Sequence, residues 1–165
     1  WNVLGTEYSG NTAKHALENY GLKVFVGDLL DAKFADNLFD AVSFWHVLEH
    51  LYNPAKYVKE AARVTKSGGM LVVESPNAEE RNVSYQTQAE RNRTHMHFFS
   101  EKVLARMLEE NGFSVVKSTY EDPRHYKNNL TSRFYHGLER AGLNFERALS
   151  GKNRGSTIRL LARKK

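Results

Sequence analysis

The stretch Phe39–Leu51, F-D-A-V-S-F-W-H-V-L-E-H-L, decides how the chain is read. It opens as a short apolar run, Asp40–Phe44, of the kind that is buried on both faces in a parallel sheet. It then turns polar, with His46, Glu49 and His50 just past the expected strand end. Ligands of open α/β sheets lie beyond the carboxyl ends of the strands. The pattern therefore predicts a strand that delivers a site.

The flanks carry the same grammar. Upstream, Trp1–Gly5 (WNVLG) and Lys23–Val26 (KVFV) read as strands, the second closed by Gly27-Asp28. Between them Ser9 and Asn11 can cap a helix running to about Tyr20, with Ala13, Ala16 and Leu17 on one face and Gly21 as its stop. Downstream, Asn53-Pro54 starts a helix with Asn as cap and Pro at the first position. Val58, Ala61, Ala62 and Thr65 form its buried stripe. Ser67-Gly68-Gly69 is the turn into a strand, Met70–Glu74. Ser100 caps a helix carrying Val103, Leu104, Met107 and Leu108, and Phe113–Ser118 is a fifth strand. Leu130, Phe134, Leu138, Ala141, Phe145 and Leu149 recur at helical spacing. Thr157–Ala162 closes the chain as a sixth strand. Strands alternating with helices predict an α/β sheet with helices on both faces.

The 165 residues fit one domain, 1–165. Within it, 77–98 reads as a lid or substrate loop and 120–155 as a basic helical segment before the closing strand. There is no cysteine, which excludes disulfides, thiolate nucleophiles and Cys-ligated zinc from these residues and fits a reducing cytoplasm. No apolar run approaches the ~20 residues of a membrane helix. The net charge of +5 is uneven: from Tyr120 onward 11 Lys/Arg face 4 Asp/Glu. Such a region reads either as a solvated helix face or as a surface for nucleic acid, anionic lipid or a phosphorylated substrate. The chain opens with Trp1 inside an apolar run, as a cut chain would.

Three strand ends carry polar groups: Glu7 after the first, Asp28 after the second, and the His46–His50 cluster after the third. A carboxylate in such a place can accept both hydroxyls of a ribose; a second can accept an exocyclic amine. Taken in order, V-L-G-T-E-Y-S (3–9), V-F-V-G-D-L-L (24–30), residues 39–51 and S-G-G-M-L-V-V-E-S-P-N (67–77) resemble the class I S-adenosylmethionine-dependent methyltransferases. The likeness is nearest to the group that includes the quinone-biosynthesis O-methyltransferases. H-F-F-S (97–100) and N-G-F-S-V-V (111–116) extend it, and it covers about Val3 to Val116. The resemblance implies a Rossmann-like sheet with S-adenosylmethionine as cofactor. It implies that Glu7 holds the ribose, that Asp28 meets the adenine with Leu29 beside the ring, and that Phe44, Trp45 and His46 border the methionine part. The family's first strand and its glycine-rich loop have no counterpart here, so two strands are expected to face a gap.

His46, Glu49 and His50 stand at i, i+3 and i+4, and share one face if the segment is helical. They can act on a substrate proton or bind a divalent metal ion, the metal ranking second. In some of the quinone O-methyltransferases that resemble this stretch a metal holds the substrate, with Glu at the place of His46. Alternatively His50 packs at the turn before Pro54 and Glu49 is solvated. His95 and His97 either complete a substrate site or anchor the lid.

The expected function is methyl transfer to a small molecule, at oxygen. Two rivals stand beside it. One is methylation of RNA or protein through the basic region, where Tyr126, Phe134 and Tyr135 interleave with Arg124, Lys127 and Arg133. The other is a non-catalytic fragment of the fold. A Rossmann dehydrogenase would share the ribose acid, but it predicts neither G-D-L-L followed by V-L-E-H nor an antiparallel closing strand.

Overall fold

A computed structural model describes residues 2–79, 94–121 and 157–165. The order is β1 (Leu4–Glu7), α1 (Gly10–Tyr20), β2 (Lys23–Val26), β3 (Phe39–Trp45), a 3₁₀ turn (Leu48–His50), α2 (Pro54–Val64), β4 (Thr65–Pro76), α3 (Glu101–Glu110), β5 (Phe113–Glu121) and β6 (Thr157–Lys164). Segments 80–93 and 122–156, which hold most of the expected lid and nearly all of the basic helical segment, lie outside the described residues. So do Tyr126, Phe134 and Tyr135 with their neighbouring cations.

The helix ends obey local chemistry. Ser9 accepts a hydrogen bond from the Thr12 amide, Asn53 from that of Lys56 and Ser100 from that of Val103. Each cap satisfies one of the donors a helix start leaves orphaned. Pro54 occupies the first turn of α2, where its missing N–H costs nothing. Gly21 ends α1 at φ +66°, a left-handed conformation that glycine adopts without penalty.

The strands form two hydrogen-bonded sets: a parallel pair β1-β2, and a sheet of order β3-β4-β6-β5. β3 and β4 run parallel, while β6 is antiparallel to both β4 and β5. The antiparallel closing strand and the interruption beside β1 and β3 both match the sequence reading. Among the described residues no ladder joins the two sets.

Of the boundaries that differ, three bear on the reading. β1 runs Leu4–Glu7, so Glu7 is the last residue of the strand rather than a loop residue beyond it. β4 starts at Thr65 and absorbs the expected turn, with Gly68 at φ +75°. Gly69 is there for closeness: a Cβ on it would meet Lys66 O at 2.8 Å and Asp40 O at 2.9 Å. β5 reaches Glu121, so the first two residues expected as helix are strand.

The core lies between the four-stranded sheet and helices α2 and α3. Leu48, Val58, Val64, Leu71, Leu104, Leu108, Phe113 and Leu160 are fully buried within one cluster. Burial of each such side chain contributes about 1.5–3 kcal/mol. The β1-β2 pair is different: none of its residues is buried, and Val3, Leu4, Leu22 and Val26 are exposed. No described helix is long and apolar enough to cross a membrane.

Candidate functional site

Glu7 and Asp28 come together because β1 and β2 are parallel and end side by side. The amide of Gly27 donates to the carbonyl of Glu7 at 2.9 Å, which carries the ladder one residue past β2. Gly27 sits at φ +139°, and a Cβ there would fall 2.7 Å from the Phe25 ring. Only glycine permits that turn at no cost, and the turn places Asp28. Glu7 Oε1 accepts from the Ser9 amide at 2.8 Å. Among the described residues its other oxygen accepts nothing.

Asp28 is more heavily engaged. Its Oδ2 accepts from Tyr8 Oη at 2.7 Å and from Tyr57 Oη, and its Oδ1 from the Asp31 amide at 2.8 Å. Partial burial pushes this carboxyl up, but the two phenols and the amides of Asp31 and Leu30 outweigh it and hold the group below the usual range. The phenols move the other way. Tyr8 is raised chiefly by its bond to Asp28, and Tyr57 by burial and then by the same carboxylate. Leu29 is packed into the core cluster with Phe44.

The third strand end is a relay of side chains. His46 is not helical: it follows β3 at φ +52°, a region costly for a non-glycine residue. The helical turn begins two residues later and is a single 3₁₀ turn. His46 and His50 therefore do not share a face. Nδ1 of His46 stands 3.1 Å from Glu49 Oε1, and Nε2 stands 3.2 Å from Glu74 Oε1. Glu49 has no exposed surface; its other oxygen accepts from Ser75 Oγ at 3.1 Å. Glu74 also takes the guanidinium of Arg159 from β6, with Nε at 2.7 Å, and that guanidinium lies 5.2 Å over the ring of the half-exposed Trp45.

His50 turns to the far side of Glu49. Its Nδ1 meets the carbonyl of Thr94 at 3.0 Å, and its ring meets that of His95 edge-on at 4.6 Å. Burial, reinforced by His50, holds His95 below the usual histidine range. Glu49, His50 and His95 each offer a ligand atom within 4.8 Å of the others. His97 behaves as an anchor: its amide and that of Met96 donate to the carbonyl of Glu49, while its ring stacks on Phe99.

The sequence reading named Glu7 and Asp28, which lie at the neighbouring ends of β1 and β2, and His46, Glu49, His50, His95 and His97, which gather past the end of β3. It missed Tyr8, Tyr57, Glu74, Ser75 and Arg159. For Glu74 and Ser75 a signal existed: strand β4 closes on E-S-P, and the parallel register sets Trp45 opposite Glu74.

Residues 1–118 match the family described as "Methyltransferase domain". An uncharacterized protein of Methanocaldococcus jannaschii is 32% identical over 119 residues, covering 70% of this chain and 58% of that protein. A Mycobacterium tuberculosis protein described as a probable S-adenosylmethionine-dependent methyltransferase is 32% identical over 76 residues, 46% of this chain and 28% of its own length. The chain thus spans little more than half of the first relative and under a third of the second. The crystal structure of a SAM-dependent methyltransferase from Archaeoglobus fulgidus superposes on 98% of this chain and 75% of that one, with a TM-score of 0.70 at 18% identity.

Proposed function

Since this chain belongs to the class I S-adenosylmethionine-dependent methyltransferase family, we propose that it takes part in methyl transfer to an oxygen of a small molecule. The observation that carries the reading is the meeting of Glu7 and Asp28 at the carboxyl ends of a parallel pair. The residues fit the adenosine half of the cofactor. Glu7 keeps one oxygen without a donor among the described residues, and a ribose hydroxyl can use it. The glycine-rich loop that serves the methionine half in the family has no counterpart in this sequence.

When bound, the cofactor supplies an activated methyl group on a sulfonium. The chain's own task is alignment, because transfer is a direct displacement. Trp45 and His46 stand at the end of β3, where the acceptor would meet the methyl donor. A hydroxyl acceptor must lose its proton. The half-exposed ring of His46 lies between two carboxylates, buried Glu49 at Nδ1 and Glu74 at Nε2; its Nε2 takes that proton once the contact with Glu74 gives way to the acceptor, while Glu49 fixes the ring through Nδ1.

Calorimetry with S-adenosylhomocysteine tests the reading. Loss of a hydrogen bond to a charged group costs about 1.5–3 kcal/mol. Glu7→Ala and Asp28→Ala together should therefore weaken binding by at least about tenfold, and unchanged affinity in the double variant sinks the assignment. An acceptor screen with labelled cofactor then addresses the substrate.

A second reading concerns the acceptor's grip. The closeness of Glu49, His50 and His95 favours a divalent ion held by two imidazoles and a carboxylate. The bond from His50 Nδ1 to Thr94 leaves its Nε2 for the ion, as outer partners of metal-bound histidines do. Manganese titrated by calorimetry should bind the wild type and not His95→Ala; equal binding to both removes this reading.

A further inference from the structure

One oxygen of the Asp28 carboxylate is already full. A carboxylate oxygen has about two acceptor sites, and the hydroxyls of Tyr8 and Tyr57 both donate to Oδ2. An exocyclic amine arriving at Oδ2 has to displace one of them. Oδ1 serves the Asp31 amide, which belongs to the turn that shapes the residue. Tyr57 sits on α2, half-buried and packed against the core cluster. Tyr8 is 67% exposed and directly follows Glu7, and beside Asp28 its hydroxyl also meets that of Tyr57. Its hydroxyl loses least on release, because water replaces the bond it gives up.

We propose that Tyr8 is a latch on the nucleoside site, occupying in the free protein the Asp28 oxygen that an adenine amine takes, and that Tyr57 is the positioning residue that stays. The two phenols, which share one oxygen of Asp28 in the free protein, then have opposite effects on affinity. The proposal rests on the assignment of Asp28 to a nucleoside.

The test is calorimetry of the chain with adenosine and with S-adenosylhomocysteine. Tyr8→Phe removes the competing hydroxyl and keeps the ring, and should bind both about two- to tenfold more tightly than wild type. Tyr57→Phe should bind both more weakly. If the wild type binds and Tyr8→Phe leaves the affinity unchanged or lowers it, the latch is wrong while the site assignment stands. If Tyr57→Phe binds more tightly, the two roles are misassigned. Binding of neither probe by any of the three proteins overturns the assignment of Asp28 and the latch with it.

Discussion

His46 and Glu49 face each other at 3.1 Å across the start of a 3₁₀ turn, one ring half-exposed and the other carboxylate wholly enclosed. Glu49 satisfies both neighbours, His46 on one oxygen and Ser75 on the other. Its backbone carbonyl meanwhile receives Met96 and His97 from the far side of segment 80–93. One residue thus ties together the end of β3, the end of β4 and the approach to α3.

Replacing Glu49 should be felt throughout the fold. Glu49→Ala leaves the buried Ser75 hydroxyl without its acceptor, and an unsatisfied buried group costs about 1–3 kcal/mol. A cavity adds to that loss. The urea midpoint should drop without a change in slope. Glu49→Gln, which keeps shape and one acceptor, should lose less; equal losses would show that packing alone matters there.

Gly27→Ala should damage stability and site together. A side chain at φ +139° is strained by about 1–3 kcal/mol, and its Cβ meets the Phe25 ring. Relief requires Asp28 to move. Thermal melting should fall and affinity for S-adenosylhomocysteine with it. A variant that melts lower yet binds as wild type would separate the turn from the carboxylate.

Acid should loosen the tyrosine clasp. The Asp28 carboxyl is held lower in the folded chain than in the unfolded one, where it titrates near about 3.9. Its contribution to stability is therefore complete above that value and is lost as pH falls through the lower, folded value. Urea melts between pH 6 and pH 3 should show wild type losing stability faster than Asp28→Asn at the acid end. Parallel profiles would mean that the phenols hold the neutral group equally well.

Arg159→Ala should be visible through Trp45. The guanidinium covers the indole face and pairs with a Glu74 that is 13% exposed. Its loss should change the emission of Trp45, read in a Trp1→Phe background. It should also destabilise by more than the ~0–1 kcal/mol of an exposed ion pair. Unaltered emission would place the guanidinium away from the ring.

What was legible in the sequence is what short-range chemistry decides. Ser9, Asn53 and Ser100 announce helix starts, Gly21 an end, and apolar runs of four to seven residues announce the strands. The ordered strand-end motifs carried the family, and the parallel pairing that sets Glu7 beside the turn to Asp28 follows from the same strands. Illegible were the pairings that only the folded topology brings about. Tyr57 meets Asp28 across 29 positions, and Arg159 meets Glu74 across 85. The conformation of His46 was hidden for a different reason. The spacing His46-x-x-Glu49-His50 suits a helix, but the sharp exit from β3 spends His46 on a left-handed bend.

The interruption between β1-β2 and the larger sheet has a mechanical consequence. Backbone ladders transmit cooperativity along a sheet, and here no described ladder crosses from Glu7 and Asp28 to the half that carries His46. The described links across it are side-chain ones, among them Tyr57 to Asp28 and the edge-on rings of Phe25, Phe34 and Phe39. The two halves are therefore expected to open separately. Amide hydrogens of β1 and β2 should exchange with solvent well before those of β4 and β6. A ligand bridging both halves acts as a fastener, and the protection it adds to β1 and β2 measures how much of its binding energy goes into joining them.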